Sequence, residues 1–266
     1  MQVTVGRLSF KVADTVHIPF WKQVNDGTWE PATYAVFDRL IDARSVVLDI
    51  GAWIGPTALY AAQLAKACYA FEPDPIAHAG LKHNLELNKD AAWSERLHLV
   101  KSGITASGGA ARLGSQAAGG DSMSSLLFGE SDTAWSIETM TLPRFVADFN
   151  FSAARLFIKM DIEGAEYDVL PSLKDFFRAT PVTLFVSLYP GILRRALKRR
   201  HVGLDRVSRF FKARGESVRA HRRVFEALDS FRLERMDGMP LNARRVLAFG
   251  ALTGRFPFEI VAIPNA

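Results

Sequence analysis

The sequence predicts an α/β protein built on a mainly parallel, doubly wound sheet covered by helices on both faces. Three observations carry that expectation. The run Val46-Val47-Leu48-Asp49-Ile50 is short, apolar but for Asp49, and breaks at once into Gly51 and Gly55. A strand covered by helices on both sides has to read this way. Comparable runs at 67–71, 97–101, 156–160 and 182–188 alternate with helical stretches, the pattern of parallel strands joined by right-handed crossovers. The residues with chemistry then fall where those strands end: Asp49 and Gly51, Glu72 and Pro73, Ser102 and Gly103, Asp161 and Glu163, Tyr189 and Pro190. In an open α/β sheet, ligands bind beyond the carboxyl ends of the strands.

Length and composition set the frame. The chain has 266 residues, of which 48% are hydrophobic and 23% charged, enough for one large domain with additions and a sizeable core. Residues 1–45 read as N-terminal strands and a lead-in helix, and 46–266 as the ligand-binding domain. No apolar run approaches the roughly 18 residues of a membrane span. The first twelve residues alternate like a strand pair and lack the apolar core of a signal peptide. One cysteine, Cys68, excludes an internal disulfide or a cysteine metal cluster, so a reducing cytoplasm is the expected setting. Cys68 sits in an apolar strand and reads as an inert buried thiol. His78 and His83 have no carboxylate or cysteine companions, and no metal site is expected.

Each element has its own signal. Asn25-Asp26-Gly27 forms a turn in the lead-in, and Pro31 opens a helix running to about Ile41. Glu30 falls beside its N-cap, where the helix dipole favours a carboxylate; capping and ligand contact both remain open. After the first strand Gly51 lets the backbone turn without a Cβ in the way. Pro56 then suits the first turn of an Ala/Leu-rich helix over 57–66. The second strand, 67–71, ends in Glu72-Pro73-Asp74-Pro75. Glu72 lies 23 residues past Asp49, close to the spacing at which a doubly wound fold sets an acid on a ribose diol; a plain helix start is the other reading. A helix over 76–88 and a third strand over 97–101 follow. The stretch 105–141, rich in Gly, Ser and Ala and including Gly119 to Ser125, predicts an inserted loop or hairpin before strand four at the mouth of a site, or ordinary surface looping. Pro181 precedes the fifth strand, and Phe258 to Ile263 reads as the last.

A strand, glycine turn and helix serve two cofactor classes. A dinucleotide requires G-x-G-x-x-G with bare backbone against the pyrophosphate. Here the run is Asp-x-Gly-x-x-x-Gly, with the ring of Trp53 inside it. An acid before the turn repels a pyrophosphate and suits a cation. S-adenosylmethionine, with its sulfonium and amino group, matches better. An NAD-dependent oxidoreductase is the alternative enzyme. A non-catalytic module of the same fold, holding an anionic partner through basic residues, is the alternative of another class, and the acids at strands one, two and four argue against it.

The same residues carry a resemblance. Val47 to Gly55, then Phe71-Glu72-Pro73-Asp74, then Asn84 and Asn88, then Ile158-Lys159-Met160-Asp161-Ile162-Glu163-Gly164-Ala165-Glu166 resemble the FkbM family of S-adenosylmethionine-dependent methyltransferases over about Glu30 to Leu188. The run from Lys159 to Glu166 is the most specific part. The resemblance implies a Rossmann-like methyltransferase fold and methylation of hydroxyls on sugars, glycans or natural products. It also implies that Asp49, Gly51 and Gly55 hold the methionine end and Glu72 the ribose. From their places at the strand ends and the start of the lead-in helix, Glu30, Ala52, Pro73, Ser102 and Gly103 are expected as further cofactor contacts. Two positions depart from it: Trp53 stands where many members carry a small polar residue, and Tyr189 where a histidine often precedes the proline. In such a reaction the protein must align an acceptor oxygen and remove its proton. Asp161 and Glu163 are expected on that acceptor side, one of them serving as base or as orienter of the hydroxyl, unless they cap the helix beginning near Gly164.

Charge is uneven. The net charge is +5, yet Arg194 to Arg223 holds twelve Lys/Arg against Asp205 and Glu216, a balance of +10, leaving −5 for the rest. Leu193, Leu197, Leu204, Val207 and Phe211 recur at roughly helical spacing, so the segment 193–223 is expected to pack an apolar stripe on the body and turn its arginines outward. The result is a solvated basic face, or a funnel for an anionic acceptor: a phosphorylated or nucleotide-linked sugar, or a lipid-linked glycan at a membrane surface, ahead of a nucleic acid.

Overall fold

The computed structural model describes residues 1–13, 16–114, 134–149, 151 and 155–265. The chain opens with an antiparallel pair, β1 (Gln2–Val5) and β2 (Leu8–Lys11), then α1 (Ile18–Asn25) and α2 (Pro31–Leu40). The alternating unit follows: β3 (Ser45–Ile50), α3 (Pro56–Leu64), β4 (Ala67–Phe71), α4 (Pro75–Glu86), β5 (Leu97–Val100). After β6 (Gly103–Ile104), β7 (Gly109–Leu113) and β8 (Trp135–Met140) come α5 (Leu142–Phe149), β9 (Arg155–Met160), α6 (Glu166–Ser172), α7 (Lys174–Ala179) and β10 (Val182–Ser187). The last part holds α8 (Pro190–Arg200), α9 (Arg206–Ala227), β11 (Phe231–Glu234), α10 (Ala243–Thr253) and β12 (Glu259–Pro264).

Seven strands form the central sheet in the order β11-β12-β10-β9-β3-β4-β5. The pairs β10–β9, β9–β3, β3–β4 and β4–β5 are parallel, and β12 runs antiparallel to both its neighbours. The expected α/β class and mainly parallel sheet are therefore present. β4 and β5 follow β3 on one side while β9 and β10 lie on the other, so the strand order reverses between β3 and β9. That junction is where such folds open a ligand crevice.

Every residue of β3 is buried. Because side chains alternate across a sheet, Val46, Leu48 and Ile50 enter one apolar layer with Ile158 and Met160, while Val47 enters the opposite one with Phe157 and Phe185. Asp49 shares the face of Val47, the face covered by α3. The lead-in belongs to that second layer, since Val3, Phe10, Trp21 and Phe37 pack in it. Two asparagines of the α4 region fasten the lead-in: Asn84 accepts from the Ala13 amide at 2.8 Å and donates to Ile54 O at 2.9 Å, and Asn88 bonds both the amide and carbonyl of Lys11.

The region before strand four forms a three-stranded sheet in the order β6-β8-β7, with β7 and β8 antiparallel. The expected hairpin is thus there at its base, and the Gly119–Ser125 run lies outside the described residues. The basic segment differs from the expected stripe. It is two helices, and of the stripe only Leu193 and Leu197, on α8, are buried; Leu204, Val207 and Phe211 stand exposed. The break at 201–205 ends α8 and resets the helical phase, so α9 buries a later set instead, including Ala213, Ala220 and Val224. β11 and α10 were not expected from the sequence. Among the described residues no helix is long and apolar enough to cross a membrane.

Candidate active site

The carboxyl ends of β3, β4 and β9 converge on two adjoining cavities. One is lined mainly by apolar groups, including Ile50, Phe71, Leu113 and Ile137, with Glu72 and Pro73 on its wall. The other takes in Phe20, Trp29, Glu30, Ala52, Lys159 and Tyr189. Gly51, Trp53, Asp161 and Glu163 line both.

Backbone geometry builds this junction. Gly51 has φ +84°, and a Cβ there would lie 1.8 Å from the Asp161 carbonyl oxygen; only glycine permits the β3 and β9 ends to meet this closely. Trp53 and Glu163 also adopt left-handed backbone, at φ 48° and 54°. Non-glycine residues held there cluster at functional sites. The Trp53 ring packs edge-on against Phe20 at 4.6 Å and His17 at 5.1 Å, so α1 and the segment before it help fix the wall.

Glu72 is buried, and both its oxygens are engaged: Oε2 accepts from the Trp53 amide and Oε1 from the Asp74 amide, each at 2.8 Å. Burial pushes its carboxyl up to about 7 against the pull of those two amides. The helix-start role falls to Asp74, whose carboxylate accepts from the Ile76 and Ala77 amides. Glu72 is thereby left to face the apolar cavity.

Lys159 is the cation of the site. Its Nζ donates to Gly51 O at 3.0 Å and lies 3.1 Å from Asp49 Oδ1 and 3.6 Å from Asp161 Oδ2. Burial alone would favour its neutral form, but Asp49 and Asp161 outweigh that and hold it charged. A lysine inside an otherwise apolar strand is itself a signal, since a buried charge needs partners. Asp49, fully buried, also accepts from Thr57 Oγ1 at 2.6 Å.

The structure therefore revises the expectation for Asp49 as a ligand contact. It lines neither cavity, because strand alternation turns it toward α3, where it anchors Lys159 and the first turn of that helix. Gly55 is likewise behind the site: at φ +97° it caps α3 and packs on Leu81, whose Cδ1 would lie 2.5 Å from an added Cβ. Ser102 and Gly103 line the apolar cavity. The Ser102 hydroxyl is spent on Gly103 O and Glu138 O, both at 3.2 Å, tying β8 to the sheet end.

Glu30 sits at the N-cap of α2 with φ 40°, yet its side chain makes no backbone cap. It accepts from Thr33 Oγ1 at 3.1 Å and faces the second cavity, its pKa raised by burial and by Asp161 against the pull of Lys159. Asp161 accepts from the Tyr189 hydroxyl at 2.6 Å. The turn into the following helix is closed by another acid, Glu166. α6 starts later, with Ala165 at its N-cap, and the buried Glu166 closes the turn by accepting from the Ile162 amide at 2.6 Å and the Gly164 amide at 2.7 Å. Asp161 and Glu163 line both cavities. Lys159, Glu166 and the hydroxyl of Tyr189 were given no role by sequence reasoning. Among the described residues no group of three or more metal-ligating side chains forms.

A family model described as the methyltransferase FkbM domain matches residues 49–216. Among solved structures, a methyltransferase FkbM from Methylobacillus flagellatus KT is 19% identical, with 66% of this chain and 45% of that chain covered and a TM-score of 0.41. This chain therefore spans less than half the length of that protein. Magnesium protoporphyrin IX methyltransferase from Synechocystis PCC 6803, solved with bound SAH, is 12% identical over 96% of this chain and 90% of its own, TM-score 0.41. Precorrin-6y C5,15-methyltransferase from Geobacter metallireducens GS-15 is 12% identical over 85% and 78%, TM-score 0.36. No curated protein matches the chain.

Proposed function

The chain belongs to the methyltransferase FkbM family, and on that premise we propose that its cleft binds S-adenosylmethionine and directs methyl transfer to a hydroxyl of a sugar, glycan or other small molecule. The observation that carries this reading is Glu72. A buried carboxylate held by two backbone amides, in a mainly apolar slot, suits a nucleoside: Ile50, Phe71 and Ile137 would hold the base and Glu72 would accept from the ribose hydroxyls. The adjoining cavity carries Glu30, Asp161 and Glu163, a negative surround that suits the amino group and sulfonium of the methionine end.

When bound, that cofactor supplies a methyl group on a positively charged sulfur, already an electrophile. What remains for the chain is to orient the acceptor, take its proton and keep water out. Asp161, fixed by Tyr189 and flanked by Lys159, orients the acceptor hydroxyl. Glu163, beside it in both cavities, would take the proton that the acceptor hydroxyl gives up. Phe20, Trp29 and Trp53 wall the cavity with rings that exclude water.

The test is transfer of label from methyl-tritiated S-adenosylmethionine into a panel of sugars, nucleotide sugars and small hydroxylated molecules. The reading expects labelled product that survives mild alkali, as a methyl ether does. Label released as methanol would mark a methyl ester and contradict the hydroxyl assignment.

A further inference from the structure

Away from the cleft, the greatest departure from an ordinary protein surface lies on the first turns of α9 and the tip of α10. Val207, Phe210 and Phe211 share one helical face by their spacing and are 63%, 45% and 65% exposed, and Leu252 of α10 is 81% exposed. They form one patch. Phe210 and Phe211 pack edge to face at 5.5 Å, and the Arg214 guanidinium lies 6.0 Å over the Phe210 ring. Arg214 also donates to the carbonyls of Ala251 and Leu252, which fastens the α10 tip beside the aromatic pair. The guanidinium groups of Arg194 and Arg214 both reach Gly254, at the end of α10. Arg206 and Lys212 are exposed close by on the same turns of α9, while Arg209 is turned back to donate to the Val202 and Leu204 carbonyls. The two acids of the segment are already used: Asp205 caps α9 through the Val207 and Ser208 amides, and Glu216 is bonded by His201 and approached by Arg219.

An apolar centre inside a basic rim is the composition of a surface that enters the boundary between lipid headgroups and acyl chains. We propose that this face docks the protein on an anionic lipid bilayer, with Val207, Phe210, Phe211 and Leu252 entering the interface and Arg206 and Lys212 pairing with lipid phosphates. Other occupants fit less well. A second copy of the chain would bring the same positive charge to the contact and repel it. A nucleic acid would pair with the arginines but leave Val207 and Leu252 in water. Docking would also bring the bilayer toward the cleft, because the α10 tip is followed within a few residues by Phe258, whose ring packs at 4.7 Å on Tyr189. The inference does not depend on which acceptor is methylated.

Flotation of the full chain with two vesicle types tests it: pure phosphatidylcholine, and phosphatidylcholine mixed equally with phosphatidylglycerol. Wild type is expected to float with the mixed vesicles only, and less as salt rises. Arg206→Gln/Lys212→Gln should lower the partition coefficient by at least about tenfold, at about 1 kcal/mol for each charge near the surface. Phe210→Ser/Phe211→Ser, which keeps every charge, should also float poorly. These side chains are exposed, so both variants should melt as wild type does. The proposal is overturned if wild type does not float with mixed vesicles, if it floats equally with both types, or if the two variants float as wild type does. It is overturned equally if a duplex oligonucleotide displaces the protein from the mixed vesicles with the Phe210→Ser/Phe211→Ser variant binding that oligonucleotide undiminished, or if wild type proves to be a dimer that the same substitutions dissociate.

Discussion

Glu72 and Lys159 are opposite solutions to the same problem, a charge taken out of water. Lys159 is compensated, so its removal exposes what it was compensating. Lys159→Met should cost about 3–5 kcal/mol in denaturant unfolding, because Asp49 is left as an uncompensated charge at full burial. Adding Asp49→Asn should recover part of that loss; strict additivity of the two substitutions would refute the pairing. Glu72 instead keeps an elevated pKa, about 7 against an ordinary 4.5. Its protonated form is favoured by folding, so in the ligand-free protein its contribution is complete below about pH 4.5 and is lost as pH rises through about 7. Binding should run the other way, since ribose hydroxyls donate to the carboxylate: S-adenosylmethionine affinity should rise between about pH 6 and 8, and the rise should be absent in Glu72→Gln. At the reacting end, Glu163→Gln should reduce transfer by about 10²–10⁴, a far larger loss than the one it causes in cofactor affinity, where Glu30 and Asp161 remain. Full activity in that variant would remove Glu163 from the chemistry.

At the scale of elements, the site depends on two strand ends meeting. Gly51→Ala places a side chain at φ +84° and 1.8 Å from the Asp161 carbonyl. It should cost about 1–3 kcal/mol in backbone strain alone and displace the β9 turn, so that stability and cofactor affinity fall together. Affinity unchanged in a folded Gly51→Ala protein would contradict this account of the junction. The strands themselves were legible: the run at 46–50 has the composition of a buried central strand, and β4 was bounded correctly by its flanking Lys66 and Glu72. The glycine turn was legible as backbone, but side-chain direction was not. Asp49 reads as a ligand contact from its place before Gly51, and only the pairing of β3 with β9 shows that it meets Lys159. Glu166 was hidden for a similar reason, since its bonds fold back to Ile162 and Gly164 through a turn whose shape no spacing rule encodes. β11 has four residues, too few for alternation to stand out, and the α10 that follows separates it from its partner β12.

For the whole molecule, one fold holds a negative cleft and a basic surface apart. Arg194 to Arg223 carries +10 while the rest carries −5, and the structure assigns those charges to α8 and α9 rather than to the cavity walls. Composition made the asymmetry visible, whereas the break between α8 and α9, and with it the exposure of Phe211, required the three-dimensional fold. Cofactor binding should therefore respond little to salt, while any acceptor or surface held by α9 should respond strongly. The central claim is that Glu72 faces a nucleoside in a cleft made by β3, β4 and β9. Calorimetric titration with S-adenosylmethionine, run on wild type and on Glu72→Ala with NAD as the competing ligand, tests it most directly. The account predicts one-to-one binding to wild type, no heat with NAD, and a loss of about 1.5–3 kcal/mol in a folded Glu72→Ala protein; no binding of S-adenosylmethionine, or equal affinity in the two proteins, would contradict it.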